Sequence, residues 1–280
     1  MIKKLIYLIA ILFLIVPNAM AFMGPAVGGG GMPPSAGAEC SDCSGAERLY
    51  IHFENYADIT DDTDLPCGCT DGTTTALTAV GSPTISGAQY KDGNESLLIN
   101  AVSEHYYIDG NQSTNYLVNM ANDEIEFWIR VTSFTNYGRI LIIDGLSDQA
   151  SNNMYLRLDD VGGYIAFFYR FEGNDAFSQD CYIVTDVPTD SDTGWMRVTL
   201  GWNTEGGGDT EFYMAVDTDD DGTNDFAEED GNTDSWEAGD LANYRIIFGT
   251  THATIAHGSY YIDRFHVKGA ADTDNWGILP

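Results

Sequence analysis

From about Leu49 onward the chain is written in short apolar-alternating runs cut by clusters of Gly, Asn, Asp and Thr, and this texture limits its folds sharply. A period of two puts alternate side chains on opposite faces of an extended strand. Nowhere do apolar residues recur at a sustained 3.6 spacing, so few helices are expected. The clearest run is Glu124 to Val131. Ile125, Phe127, Ile129 and Val131 face one way, and Glu124, Glu126, Trp128 and Arg130 the other. Similar runs lie at Tyr50 to Phe53, Ser96 to Asn100, Tyr106 to Ile108, Arg139 to Ile143, Met154 to Asp159 and Tyr164 to Phe171. Others follow at Cys181 to Thr185, Trp195 to Trp202, Glu211 to Val216, Tyr244 to Phe248 and Tyr260 to Val267. About a dozen short strands with turn signals between them predict an all-β sandwich or barrel. Alternation on one face predicts two antiparallel sheets packed face to face. No internal repeat of roughly 20–50 residues appears, which argues against a propeller or solenoid.

The segment before the strands carries different information. Lys3 and Lys4 precede an almost purely apolar run from Leu5 to Val16, and Ala19-Met20-Ala21 is a small-x-small cleavage site. That is the pattern of a secretory signal peptide over residues 1–21. The run falls short of the roughly 18 residues a membrane span needs, so an uncleaved anchor is the weaker reading, and no later stretch is long and apolar enough for insertion after cleavage. Residues 22–47 contain Gly28 to Gly31 and Pro33-Pro34 and read as a flexible spacer with a cysteine pair. Residues 48–269 form the predicted domain, and 270–280 a tail. The location expected is secreted, extracellular or cell-surface, with the periplasm as an option.

Five cysteines are Cys40, Cys43, Cys67, Cys69 and Cys181. In an exported chain disulfides are the default. The pairs Cys40/Cys43 and Cys67/Cys69 bracket the first predicted strand, so cross-links between them would pin it at both ends. A four-thiolate metal site is the sharper alternative, although its second half is C-x-C rather than C-x-x-C. Cys181 is left over and reads as a buried thiol.

The formal charge is −31, and loss of Lys3 and Lys4 with the leader takes it to −33. A surface this negative repels phosphate backbones and anionic lipid, which argues against nucleic-acid and membrane-surface partners. It suits divalent cations.

Several segments together resemble the laminin G-like branch of the concanavalin A-like lectin/glucanase superfamily. They are LYIHFEN (49–55), IEFWIRV (125–131), TGWMRVTLGWN (193–203), IIFGT (246–250) and YYIDRFHV (260–267), in the family's order over about residues 48–268. The resemblance implies a two-sheet antiparallel jelly-roll sandwich. It also implies a family whose members mostly bind sugars or proteins, often with calcium.

The most specific local motif is Asp217-Thr218-Asp219-Asp220-Asp221-Gly222-Thr223-Asn224-Asp225, followed by Glu228. Counted as D-x-D-x-D-G, it offers side-chain oxygens from Asp217, Asp219, Asp221, Asp225 and Glu228, and the Thr223 carbonyl, to a Ca²⁺ ion. Carboxylates crowded this closely repel one another unless a hard cation sits among them. Position 8 is Asn224 rather than an apolar residue, and the loop follows a strand. The motif therefore reads as an EF-hand-like loop at a β-turn. A weaker carboxylate group is Asp58, Asp61, Asp62 and Asp64 with Asp263, for which a solvated acidic loop is the plainer reading.

Glu124-x-Glu126 places two carboxylates on one face beside Trp128, as in glucanases of the superfamily, but the further acid of that pattern is missing. No G-x-S-x-G, H-E-x-x-H or phosphate loop occurs. His52, His105, His252, His257 and His266 form no ligand spacing. Catalysis is therefore not expected. Tyr106, Tyr107, Tyr137, Trp202, Trp236 and Trp276 are candidates to stack on a sugar ring. The expected function is a calcium-stabilised lectin-like module binding glycan or a cell-surface protein. The alternatives are a structural or adhesive envelope protein and, more remotely, a glycoside hydrolase.

Overall fold

The computed structural model describes residues 49–51, 53, 63–64, 77–91, 93–111, 117–118, 122–135, 138–145, 153–172, 180–203, 210–232, 243–250 and 258–269. The signal peptide, the spacer, the tail and Cys40, Cys43, Cys67 and Cys69 lie outside the described residues. All described residues belong to one compact unit, Glu39–Pro280. Every described element is a strand, and every pairing is antiparallel.

The larger sheet runs, neighbour to neighbour, β14 (Phe226–Asn232), β13 (Thr210–Asp217), β12 (Met196–Asn203), β7 (Asn122–Ser133), β16 (Ser259–Gly269), β1 (Leu49–Ile51) and β2 (Thr63–Asp64). β5 (Ser96–Ile99) also pairs with β16, and β4 (Thr84–Ser86) pairs with β5. The smaller sheet runs β11 (Asp180–Pro188), β10 (Tyr164–Glu172), β9 (Asn153–Val161), β8 (Gly138–Gly145), β15 (Asn243–Gly249), β6 (His105–Asn111) and β3 (Thr78–Val80). The two-sheet antiparallel sandwich read from the sequence is the fold.

The alternation decides what each strand buries. In β7, Ile125, Phe127, Ile129 and Val131 enter one contiguous core with Met196, Val198, Leu200 and Trp202 of β12. From the smaller sheet, Met154, Leu156, Leu158, Ile246 and Phe248 join the same core. Phe248 meets Phe53 and Phe265 edge-on, at 5.5 and 4.8 Å between ring centres. Burying a large aliphatic or aromatic side chain contributes about 1.5–3 kcal/mol, so this shared layer holds the sheets together.

The residues between, on β7 and β12, form the outer face of the larger sheet. Trp128 lies opposite Arg197 on one side and Asp263 on the other. Beyond Asp263 the register of β16 slips, with Arg264 at φ 50°. This bulge turns the Arg264 guanidinium over the Trp128 ring, 5.0 Å from its centre.

Candidate functional site

The acidic motif is the connection between β13 and β14, whose last pairing is Val216 with Phe226. The Asp225 amide donates to the Val216 carbonyl at 2.9 Å and closes the hairpin. Reversing the chain within so short a connection takes left-handed backbone, supplied by Asp220 at φ 59° and Gly222 at φ 95°. Asp217 is fully buried. Its Oδ1 accepts the Asp220 amide at 2.7 Å, and its Oδ2 accepts the Gly222 amide at 2.9 Å. Arg197 Nη2 stands 3.1 Å from the same Oδ2. A buried carboxylate requires such compensation.

Carboxylate oxygens of Asp217, Asp219 and Asp225 lie within 4.8 Å of one another. Asp225 accepts the Thr218 hydroxyl at 2.6 Å and the Thr218 amide at 2.8 Å, and these bonds hold its carboxyl below the usual carboxylate range. The side chains of Asp221 and Glu228 are not part of this group. Asp221 turns back to accept the Thr223 amide at 2.8 Å. Glu228 lies in β14 opposite the inward-facing Met214, whereas Asp217 faces outward, so the two are on opposite faces of the sheet. Glu228 instead accepts the Tyr182 amide of β11 at 2.5 Å, tying together the neighbouring edges of the two sheets. The loop thus brings three carboxylates together at a glycine turn, a smaller side-chain set than the twelve-residue count predicts.

The loop is fastened to the sheet beneath it. Trp128 Nε1 donates to Asp220 Oδ1 at 2.8 Å, and the Lys91 ammonium pairs with Asp220. Arg197 reaches Asn224 Oδ1 at 3.3 Å, while Asn224 Nδ2 donates to the Tyr213 hydroxyl at 3.4 Å. These attachments were not legible beforehand, since nothing in sequence marks Asp220, which is not a predicted ligand, as the residue that docks the loop.

Glu124 and Glu126 share the outer face as expected. Lys268 Nζ lies 2.6 Å from Glu126 and 3.7 Å from Glu124, and burial raises the Glu124 carboxyl. Asp263 is 1% exposed and accepts the amides of Lys91 and Arg264, both at 2.8 Å. Asp64 lies in β2, and Asp58, Asp61 and Asp62 lie outside the described residues. Among the aromatic candidates, Tyr106 and Trp202 are buried, and Tyr107 lies under Arg245 at 3.9 Å. Tyr137, Trp236 and Trp276 are outside the described residues, as are His52, His252 and His257. Cys181 is a buried thiol 3.7 Å from the Phe212 carbonyl.

No protein-family model and no curated protein matches the chain. Among solved structures it is similar to HCR/D-Sa-GBL1/C, at 13% identity and TM-score 0.51, over 81% of this chain and 49% of that one. It is also similar to the binding domain of botulinum neurotoxin DC in complex with SialylT, at 13% identity and TM-score 0.48, over 81% and 48%. A further likeness is to the Bacteroides ovatus xyloglucan-locus protein GH43B, at 10% identity and TM-score 0.47, over 79% and 39%. The chain spans about half the length, or less, of the chains it matches. At these identities the likeness shows the fold alone.

Proposed function

We propose that this chain is an exported binding module of the laminin G-like kind, which recognises extracellular carbohydrate or a surface protein and is stabilised by calcium. The observation that carries the calcium reading is the convergence of Asp217, Asp219 and Asp225 within 4.8 Å, in a loop locked onto Trp128. The ion would offset their mutual repulsion, with the Asp217 carboxylate shared between the ion and Arg197. Extracellular calcium modules have dissociation constants of about 10⁻⁴ to 10⁻³ M. Calcium at ten times such a constant stabilises a fold by RT ln 11, about 1.4 kcal/mol. The expected result is a melting temperature raised by a few degrees more for the wild type than for Asp219→Asn/Asp225→Asn. An equal shift in both proteins would overturn the site. A glycan array probed with and without calcium tests the recognition half separately.

The outer face of the smaller sheet favours a second reading, a structural or adhesive envelope protein. Ile142, Tyr155 and Ile247 form a small apolar cluster there, flanked by Tyr107. Arg139 lies over Tyr155 at 3.9 Å, Arg245 over Tyr107 at 3.9 Å and Arg157 over Phe168 at 4.3 Å. Such an aromatic and arginine face suits protein contact. Loss of binding to every glycan with retention of self-association would favour it. Catalysis is not proposed, because the candidate pair Glu124 and Glu126 is held by Lys268.

A further inference from the structure

At 47% exposed, Tyr90 is the most exposed large hydrophobic side chain among the described residues. A single exposed ring needs no explanation by itself. The segment that presents it does. Ser96 Oγ donates to the Gln89 carbonyl at 2.5 Å, and Trp195 Nε1 donates to the Tyr90 carbonyl at 3.1 Å. The Lys91 amide donates to the buried Asp263 at 2.8 Å, and the Lys91 ammonium pairs with Asp220. Three consecutive residues are thus pinned from β5, from β16, from the turn before β12 and from the acidic loop. A ring held out in water on so fixed a backbone loses little further freedom when something lies on it.

The neighbouring groups define what that could be. The turn that supplies Trp195, itself half-buried, also holds Asp192, which forms a two-point pair with Arg130 at 2.7 and 2.8 Å. Exposed Tyr90 and half-buried Trp195, joined by the Trp195 hydrogen bond, are aromatic rings of the kind that take C–H groups on their faces. The guanidinium and carboxylate keep N–H donors and oxygen lone pairs for hydroxyls. The stacked rings of the smaller sheet differ, because arginines already cover Tyr107, Tyr155 and Phe168. A net charge of −31 disfavours uronate or sulfated ligands. We infer that Tyr90 and Trp195, with the Arg130–Asp192 pair on the turn that carries Trp195, form a subsite for a neutral saccharide ring.

This subsite rests on the carbohydrate reading above. The test is titration of cellohexaose, xylohexaose and mannohexaose, with heparin as the acidic comparison, into the calcium-loaded protein. At least one neutral hexasaccharide is expected to bind, with affinity reduced about tenfold or more in Tyr90→Ala and largely retained in Tyr90→Phe, since stacking needs the ring. Tyr164→Ala, 45% exposed in the hairpin between β9 and β10, should bind as the wild type does. Wild-type binding that persists in Tyr90→Ala, or a preference for heparin, overturns the subsite and leaves carbohydrate recognition standing. No binding of any probe by the wild type overturns both.

Discussion

Arg197 carries more of the site than any predicted ligand does, because it faces the fully buried Asp217 at 3.1 Å and also reaches Asn224. Replacing it with Met leaves a buried carboxylate with only two backbone amides. The expected cost is about 2 kcal/mol or more, read by urea denaturation without calcium. Asp221, central to the motif on paper, should matter less, because its carboxylate is turned to the Thr223 amide. Asp221→Ala is accordingly expected to keep most of the calcium-induced rise in melting temperature. A second residue-level effect concerns pH. Burial holds the His105 imidazole below its ordinary value of 6.5, so folding favours the neutral ring. That contribution is complete above pH 6.5 and is lost as pH falls from there through the lower folded value. His105→Gln should flatten the decline in melting temperature between pH 7 and pH 5. The carboxyls of Asp192 and Asp225 are held below their ordinary 3.8 by hydrogen bonds from Arg130 and Thr218, so their contribution is lost only at still lower pH.

At the level of strands, alternation made most of the sandwich readable, since each long run buries one face and period two records which. The strands that escaped notice are β2, β3, β4 and β14. The first three are too short to show a period, and β14 reads Phe-Ala-Glu-Glu-Asp-Gly-Asn, with acids where an edge strand discourages further pairing. Missing β14 also misplaced Glu228. The twelve-position count treats the loop as continuing through it, whereas pairing resumes at Phe226 and sends its side chain to the opposite face. Strand pairing elsewhere depends on close fits at glycine, of which Gly110 is an example. Gly110 of β6 faces Tyr244 of β15, and a Cβ on Gly110 would stand 2.2 Å from the Tyr244 ring. The Tyr244 hydroxyl accepts the amides of Leu117 and Val118 at 2.7 and 2.9 Å. Gly110→Ala should therefore destabilise by about 1–3 kcal/mol through overpacking. Tyr244→Phe, which leaves the packing but removes the acceptor, should cost about 1–3 kcal/mol. Both are read as shifts in the urea midpoint at constant slope.

For the whole molecule, a charge of −31 makes every added cation a stabiliser, and this bears directly on how calcium is read. Self-repulsion of the folded state weakens as salt screens it, whichever residues carry the charge. The screening length falls from about 10 Å at 0.1 M ionic strength to about 3 Å at 1 M. Sodium chloride should therefore raise the melting temperature of the wild type and of Asp219→Asn/Asp225→Asn by similar amounts, with most of the gain reached by 1 M. Calcium acting only as a screening ion would then add nothing in 1 M sodium chloride. Calcium held by Asp217, Asp219 and Asp225 should still add its increment to the wild type, because contact coordination is screened far less than charges a Debye length apart. The double variant should show only the screening shift at 0.1 M and no calcium increment at 1 M. A wild-type calcium increment that is present at 0.1 M and gone at 1 M would make the acidic loop a structural clamp on Trp128, with the divalent ion acting on the charge of the molecule as a whole.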